Sequence, residues 1–338
     1  MLNANAHKNF TATGDRDAEA LLKKVLAEIG EALSGTGVAV YLGGSYGRGD
    51  GGVRRDKENG ILYNDLDFFV FAGKKPAHAE KLLKEVAEKY ESELKVDVDF
   101  SRIMSINDIK NNASRLMMQE LKRGYRLVCG EDLLAQYLPE LPAEKLPYSE
   151  ACRLLLNRGM GMLLAGEKIA ANSADTDFIL RNINKAILGA CDAFLIAQKG
   201  YKWNITERLA AINDSALSVD CKTLYARAVE FKSTPNREIT QDLPELWTAV
   251  RNMFQECMDN ICGDGCSRIC KECKTSGETS LKNFIKYCIK SRTLPLSNWR
   301  YYTMPPAAVL AKEVYCRLGD MPENISQSKL YRQWLIFN

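Results

Sequence analysis

An α+β chain is predicted, with a small mixed β-sheet domain followed by an all-α helical domain. Up to about residue 138, short apolar runs alternate with longer segments of helical periodicity, as in a small sheet covered by helices. Pro139, Pro142 and Pro147 then punctuate the chain as a linker. Beyond them the strong apolar periods are helical. A length of 338 residues predicts two or three compact units. Their boundaries are read as a sheet domain over 1–138, a helical bundle over 148–262, and a cysteine-containing segment with a basic helical tail over 263–338.

The elements follow in order. Residues 15–33 carry Ala18, Leu21, Leu22, Val25, Leu26, Ile29 and Leu33 at helical spacing and end near Gly35 and Gly37, a first helix and its stop. Residues 38–42 form a short strand and 61–71 a second. Between them, 46–60 is dense in glycine and charge and reads as an inserted flexible loop. A helix over 77–93 puts Leu82, Leu83, Val86, Ala87 and Tyr90 on one face. A third strand covers 94–103, a helix 105–122, and a fourth short apolar run 125–129. This order suits a small mixed sheet with helices on one side. After the prolines, helices are expected over 148–171, 177–198, 203–212, 218–232 and 243–262.

The chemistry concentrates between Val38 and Val70. An apolar run ends in Gly43-Gly44-Ser45, and a later one opens with Asp65 and Asp67. Side chains at i and i+2 of a strand share a face, so these carboxylates project side by side while Leu66 and Phe68 turn away. Two such carboxylates repel each other, and a shared divalent cation is the usual resolution. Oxygen-only ligands favour Mg²⁺ or Mn²⁺ over zinc. The glycine turn lets backbone N–H groups approach phosphate oxygens. In the later strand KVDVDF, Asp97 and Asp99 again share one face, and two acidic strands side by side would converge on one metal cluster.

The glycine-serine turn, the Asp-x-Asp strand and the later acidic strand, in this order, resemble the DNA polymerase β-like nucleotidyltransferase superfamily. Ser-Tyr-Gly-Arg-Gly followed by Asn-Asp-Leu-Asp is most similar to its stand-alone bacterial members, and the motif match covers Tyr41 to Arg102. The resemblance implies transfer of a nucleoside monophosphate, AMP from ATP first among them, to an acceptor hydroxyl with release of pyrophosphate. It implies Asp65 and Asp67 as ligands of both metals and Asp97 as the third catalytic carboxylate, with Asp99 on the same face as the alternative. It also implies Gly43, Gly44 and Ser45 as phosphate-binding residues, with Arg48 as a cationic partner. The gap from Ser45 to Asp65 is longer than the family pattern, which leaves the role of Arg48 open. The phrase RLVCGEDLL resembles the close of such catalytic domains, and residues 178–201 resemble their helical C-terminal domain. A small-molecule acceptor is expected first, a protein side chain (AMPylation) next, and a non-catalytic nucleotide- or nucleic-acid-binding regulator as the contrasting class.

Composition narrows the field further. A net charge of +3 does not announce a nucleic-acid binder. The N-terminus lacks the regions of a signal peptide and no apolar run reaches the length of a membrane span, so a cytoplasmic protein without membrane association is expected. The two histidines, His7 and His78, lie in surface-like contexts. Their scarcity removes Ser-His-Asp, Cys-His and His-rich zinc catalysis. The eleven cysteines then read as thiols or metal ligands. Cys262, Cys266, Cys270 and Cys273 are close enough in sequence either to be reduced thiols or to close a structural zinc or Fe–S site, although the spacing matches no standard zinc module. Residues 280–338 carry nine Lys/Arg against three acids. Trp299, Tyr301, Tyr302 and Trp334 are interleaved with them, either to stack on nucleobases or to pack on the bundle.

Overall fold

The computed structural model describes residues 9–56, 59–74, 76–235, 242–263, 306–319 and 321–337, with single positions at 272, 285, 288 and 289. The chain divides into two compact units. The first comprises Met1–Leu141 with Glu230–Asn236, the second Pro142–Val229 with Arg237–Asn338.

In the first unit, α1 (Arg16–Ala32) starts where the Asp15 carboxylate accepts the N–H groups of Asp17 and Ala18. Its Ala18, Leu22, Val25 and Ile29 are buried in one stripe. The chain then gives β1 (Ala39–Leu42), α2 (Gly44–Arg48), β2 (Val53–Asp56), β3 (Asn59–Leu62) and β4 (Leu66–Ala72). It continues with α3 (Ala79–Leu94), β5 (Val98–Phe100), β6 (Met104–Ser105), α4 (Ile106–Asn111), α5 (Leu116–Arg123), β7 (Arg126–Cys129) and α6 (Leu133–Tyr137). The sheet runs β5-β4-β1-β7, with β6 also pairing to β4. It is mixed: β1 is antiparallel to β4 and β7, whereas β5 and β6 are parallel to β4.

Every residue of β1 is buried, the mark of a strand covered on both faces. On one face Val40, Leu42, Phe68, Val70 and Val98 meet Leu22, Val25 and Ile29 of α1 and Leu83, Val86 and Tyr90 of α3. On the other, Ala39, Tyr41 and Phe71 meet Ile109 of α4, Met118 and Leu121 of α5 and Leu134 of α6. The expectation of helices on one side alone is therefore corrected. The segment 105–122 breaks into α4 and α5, and these cover the second face.

A second correction concerns 46–60. This stretch is not a loop throughout, because Gly44–Arg48 is helical and β2 pairs antiparallel with β3 from Val53↔Leu62 to Asp56↔Asn59. Val53 and Leu62 are buried and anchor the pair in the core.

The second unit is helical: α7 (Tyr148–Ala170), α8 (Thr176–Ala197), α9 (Ile205–Asn213), α10 (Val219–Ser233, whose last turn counts with the first unit) and α11 (Leu243–Cys262). Fully buried Trp247 donates its indole N–H to the Met162 carbonyl at 3.0 Å. The buried Arg208 guanidinium lies 3.2 Å from the Asp192 carboxylate, which also accepts the Tyr225 hydroxyl at 2.9 Å. A charge so placed needs this pairing. Near the C-terminus, α12 (Pro306–Arg317) buries Val309, Leu310 and Val314, and α13 (Lys329–Phe337) carries Trp334, whose indole donates to Asn157 at 3.0 Å. These two helices belong to the second unit. For Trp334 the outcome is packing on α7. Trp299, Tyr301 and Tyr302 lie outside the described residues.

Cys262 is buried at the end of α11. Cys266, Cys270 and Cys273, which with Cys262 could either be reduced thiols or close a structural metal site, lie outside the described residues. If the four thiolates hold zinc or iron, purified protein contains about one metal equivalent and its thiols titrate only after chelation. Metal-free protein whose thiols titrate freely on denaturation establishes reduced cysteines instead.

Candidate active site

The site is built on the two parallel strands β4 and β5. Their register sets Leu66 beside Val98, Asp67 beside Asp99 and Phe68 beside Phe100. Leu66, Phe68 and Val98 sit in the core of one face, and the rings of Phe68 and Phe100 stack at 4.7 Å. The alternation of a strand then sends Asp67 and Asp99 to the opposite face. Asp65 precedes β4, and Asp97 precedes β5 with its carbonyl accepting the Leu66 N–H at 2.9 Å. Asp67 and Asp99 therefore share one sheet face, and Asp65 and Asp97 at the entries of the two strands are near enough for their charges to act on Asp99.

The glycine-serine turn lies against them. Gly43 donates its N–H to the Asp67 carbonyl at 2.8 Å, which ties the start of α2 to the start of the acidic strand. Gly44 has φ +59°, and a Cβ there would stand 2.0 Å from Asp67 Oδ2. Only a residue without a side chain lets the turn and the carboxylate come so close. Ser45 follows, and its carbonyl accepts the Asp50 N–H at 3.0 Å.

Arg48 is drawn to the protein's own acids. Its guanidinium lies 3.4 Å from Glu120 Oε2 on α5 and 3.7 Å from Asp50 Oδ1. Asp50 also pairs with Lys232, a residue the sequence assigns to the helical bundle but which belongs to the first unit. Phe231 beside it meets the Tyr63 ring edge-on at 6.0 Å. Sequence reading misses Lys232 because it lies far along the chain from Asp50. Asn64 is a second residue missed, and its side-chain oxygen accepts the Gly52 N–H at 2.6 Å. Its position immediately before Asp65 is the available signal.

The electrostatics agree with carboxylates that crowd one another. Asp99 is largely exposed, yet its carboxyl is pushed above the usual range, first by partial burial and then by the charges of Asp65, Asp97 and Glu91. A raised carboxyl favours the folded state while protonated, and that contribution fades as pH climbs through the raised value. Asp99→Asn should accordingly raise the melting temperature at pH 7 by about 1–2 °C, screening at an exposed site keeping the effect small. The gain over wild type should shrink as pH falls into the carboxylate range. A variant no more stable than wild type at neutral pH refutes the crowding.

The donor set fits a hard divalent cation: oxygen only, two neighbouring strands, one face. Among the described residues no group of three or more His, Cys, Asp or Glu side chains is placed to hold a metal ion. Magnesium does not require one, since it is commonly held by one or two carboxylates and completes its shell with water and substrate phosphates.

Among the described residues no helix is long and apolar enough to cross a membrane. No family model, no curated protein and no solved structure matches the chain.

Proposed function

We propose that the first unit catalyses metal-dependent nucleotidyl transfer, moving a nucleoside monophosphate from an NTP to an acceptor hydroxyl and releasing pyrophosphate. The observation that carries this reading is the shared face of Asp67 and Asp99, with Asp65 near enough for its charge to act on Asp99 and the Gly44 backbone set directly against the Asp67 carboxylate. Asp65 and Asp67 would hold the cations, and the third carboxylate would be Asp97, just before β5, or Asp99, on it. The sequence pattern favours Asp97 for that place, whereas the register favours Asp99, which stands level with Asp67.

Two Mg²⁺ or Mn²⁺ ions bound there would neutralise the triphosphate and activate the acceptor oxygen for in-line displacement. The backbone N–H groups of the turn and the Ser45 hydroxyl receive phosphate oxygens, which keeps the reacting phosphoryl group over the acidic face. Arg48 and Lys232 balance Asp50 and Glu120 behind the turn and keep α2 in place. ATP is the first donor and a small hydroxylated molecule the first acceptor.

The test is incubation of the protein with each α-labelled NTP, Mg²⁺ or Mn²⁺ and a metabolite extract, with mass spectrometry for an added nucleoside monophosphate. Label on a small molecule, lost in Asp67→Asn, supports the reading. Label on protein alone moves the acceptor to a side chain. No adduct and no pyrophosphate with any of the four NTPs overturns it.

A further inference from the structure

We propose that Tyr46 is a positioning residue for this reaction, its phenolic hydroxyl fixing the carboxylate strand against the turn that carries Ser45; the inference rests on the transferase reading above. Tyr46 lies on α2 directly after Ser45 and is wholly buried. Its hydroxyl donates to the Gly52 carbonyl at 2.9 Å and accepts the N–H groups of Tyr63 at 3.0 Å and Asn64 at 3.2 Å. Those amides belong to the two residues immediately before Asp65. A phenol has one proton and two acceptor sites, and all three are used. One oxygen thus joins α2 to the entry of β4.

The surroundings are shaped to this ring. A Cβ on Gly51 would stand 2.1 Å from the Tyr46 ring, so the chain crosses it only because residue 51 is glycine. Asn64 returns a second bond across the same gap, accepting the Gly52 N–H at 2.6 Å. The base of the β2 and β3 insertion is therefore tied off beside Asp65. Burial, with a smaller contribution from the Asp65 charge, pushes the Tyr46 hydroxyl up to about 12. It is a neutral donor throughout the physiological range.

Tyr41 supplies a matched control. It too is fully buried, and its hydroxyl donates to the Glu131 carbonyl at 3.0 Å and accepts the Leu134 N–H at 3.4 Å. It faces α6 rather than the acidic strand entry. Loss of either hydroxyl strands buried backbone groups and lowers stability. Only the loss at Tyr46 releases the residues before Asp65.

The experiment compares full-length wild type, Tyr46→Phe and Tyr41→Phe. Both variants should melt at lower temperature. Tyr46→Phe should lose about 10- to 100-fold in kcat with KM for the NTP nearly unchanged, since small misplacements of reacting groups are costly. Tyr41→Phe should keep its kcat. Backbone hydrogen exchange over residues 62–68 should quicken in Tyr46→Phe alone. A folded Tyr46→Phe with wild-type kcat, or with unchanged exchange over 62–68, overturns the proposal. If wild type transfers no nucleotide, the transferase reading fails by itself and exchange still decides the positioning role. Should Tyr46→Phe not fold, Asn64→Ala must quicken the same segment and lower kcat, and failure to do either overturns the proposal equally.

Discussion

Asp67→Asn should remove nucleotidyl transfer by about 10³-fold or more while the protein stays folded, and Asp65→Asn should do the same. Each substitution keeps side-chain volume and deletes one negative charge from the site proposed to hold the cations. Transition-state charge on a transferring phosphoryl group is met by metals worth several kcal/mol, and each 1.36 kcal/mol is tenfold in rate. The fold should survive, because the apolar residues on either side of these carboxylates, Leu66 and Phe68, anchor β4 in the core. Initial rates of pyrophosphate release, with circular dichroism and melting curves on the same samples, check both halves. Activity within a few-fold of wild type in either variant removes the two-metal assignment. An unfolded variant shifts the measurement to Mn²⁺ binding by the wild-type chain, where the expected outcome is occupancy at micromolar to millimolar metal that ATP strengthens.

The order of effects on β5 is a finer version of the same argument. Asp99 stands level with Asp67, whereas Asp97 precedes the strand and has its carbonyl engaged by the Leu66 amide. Asp99→Asn should therefore slow transfer more than Asp97→Asn. The reverse order returns the third ligand to Asp97, the position the sequence pattern favours, and leaves the rest of the site intact.

That difference shows what the sequence could and could not disclose. Alternation in KVDVDF places Asp97 and Asp99 on one face, but which of them meets Asp67 depends on the register between two strands, and register is tertiary information. Helices α1, α3, α7, α8, α10 and α11 were legible from apolar period, because each buries a stripe of side chains, whereas β1, buried throughout, was legible as a short continuous apolar run. The covering of the second sheet face was not. Ile109, Met118 and Leu121 sit on two short helices whose break at residues 112–115 hides the period of either one. The β2 and β3 pair was hidden in a different way, since Val53 and Leu62 sit in the core while most of the remaining strand residues are charged, polar or glycine. Lys232 and Phe231 were invisible for a third reason. They reach Asp50 and Tyr63 only through the path of the folded chain, and nothing local at the end of α10 marks it.

Gly44→Ala should be the most damaging change that touches no polar atom. Two separate effects act on it. The backbone stands at φ +59°, where a residue with a Cβ is disfavoured by about 1–2 kcal/mol. The new methyl would also arrive 2.0 Å from Asp67 Oδ2, and a carboxylate on a core-anchored strand has little room to retreat. Either Asp67 turns away from the acidic face or the turn lifts from the strand and breaks the Gly43 bond to the Asp67 carbonyl. Both displace the proposed phosphate cradle from the carboxylates, and a shift of about 1 Å can reduce a rate by about 10². Gly35→Ala separates the two effects, because Gly35 has φ +74° and, among the described residues, nothing lies within 4 Å of where its Cβ would stand. Gly35→Ala should lose stability from backbone strain and keep full activity. Gly44→Ala should lose at least as much stability and about 10²-fold or more in kcat. Equal activity in the two alanine variants means that the turn does not work against Asp67, and phosphate binding must then be sought elsewhere on the first unit.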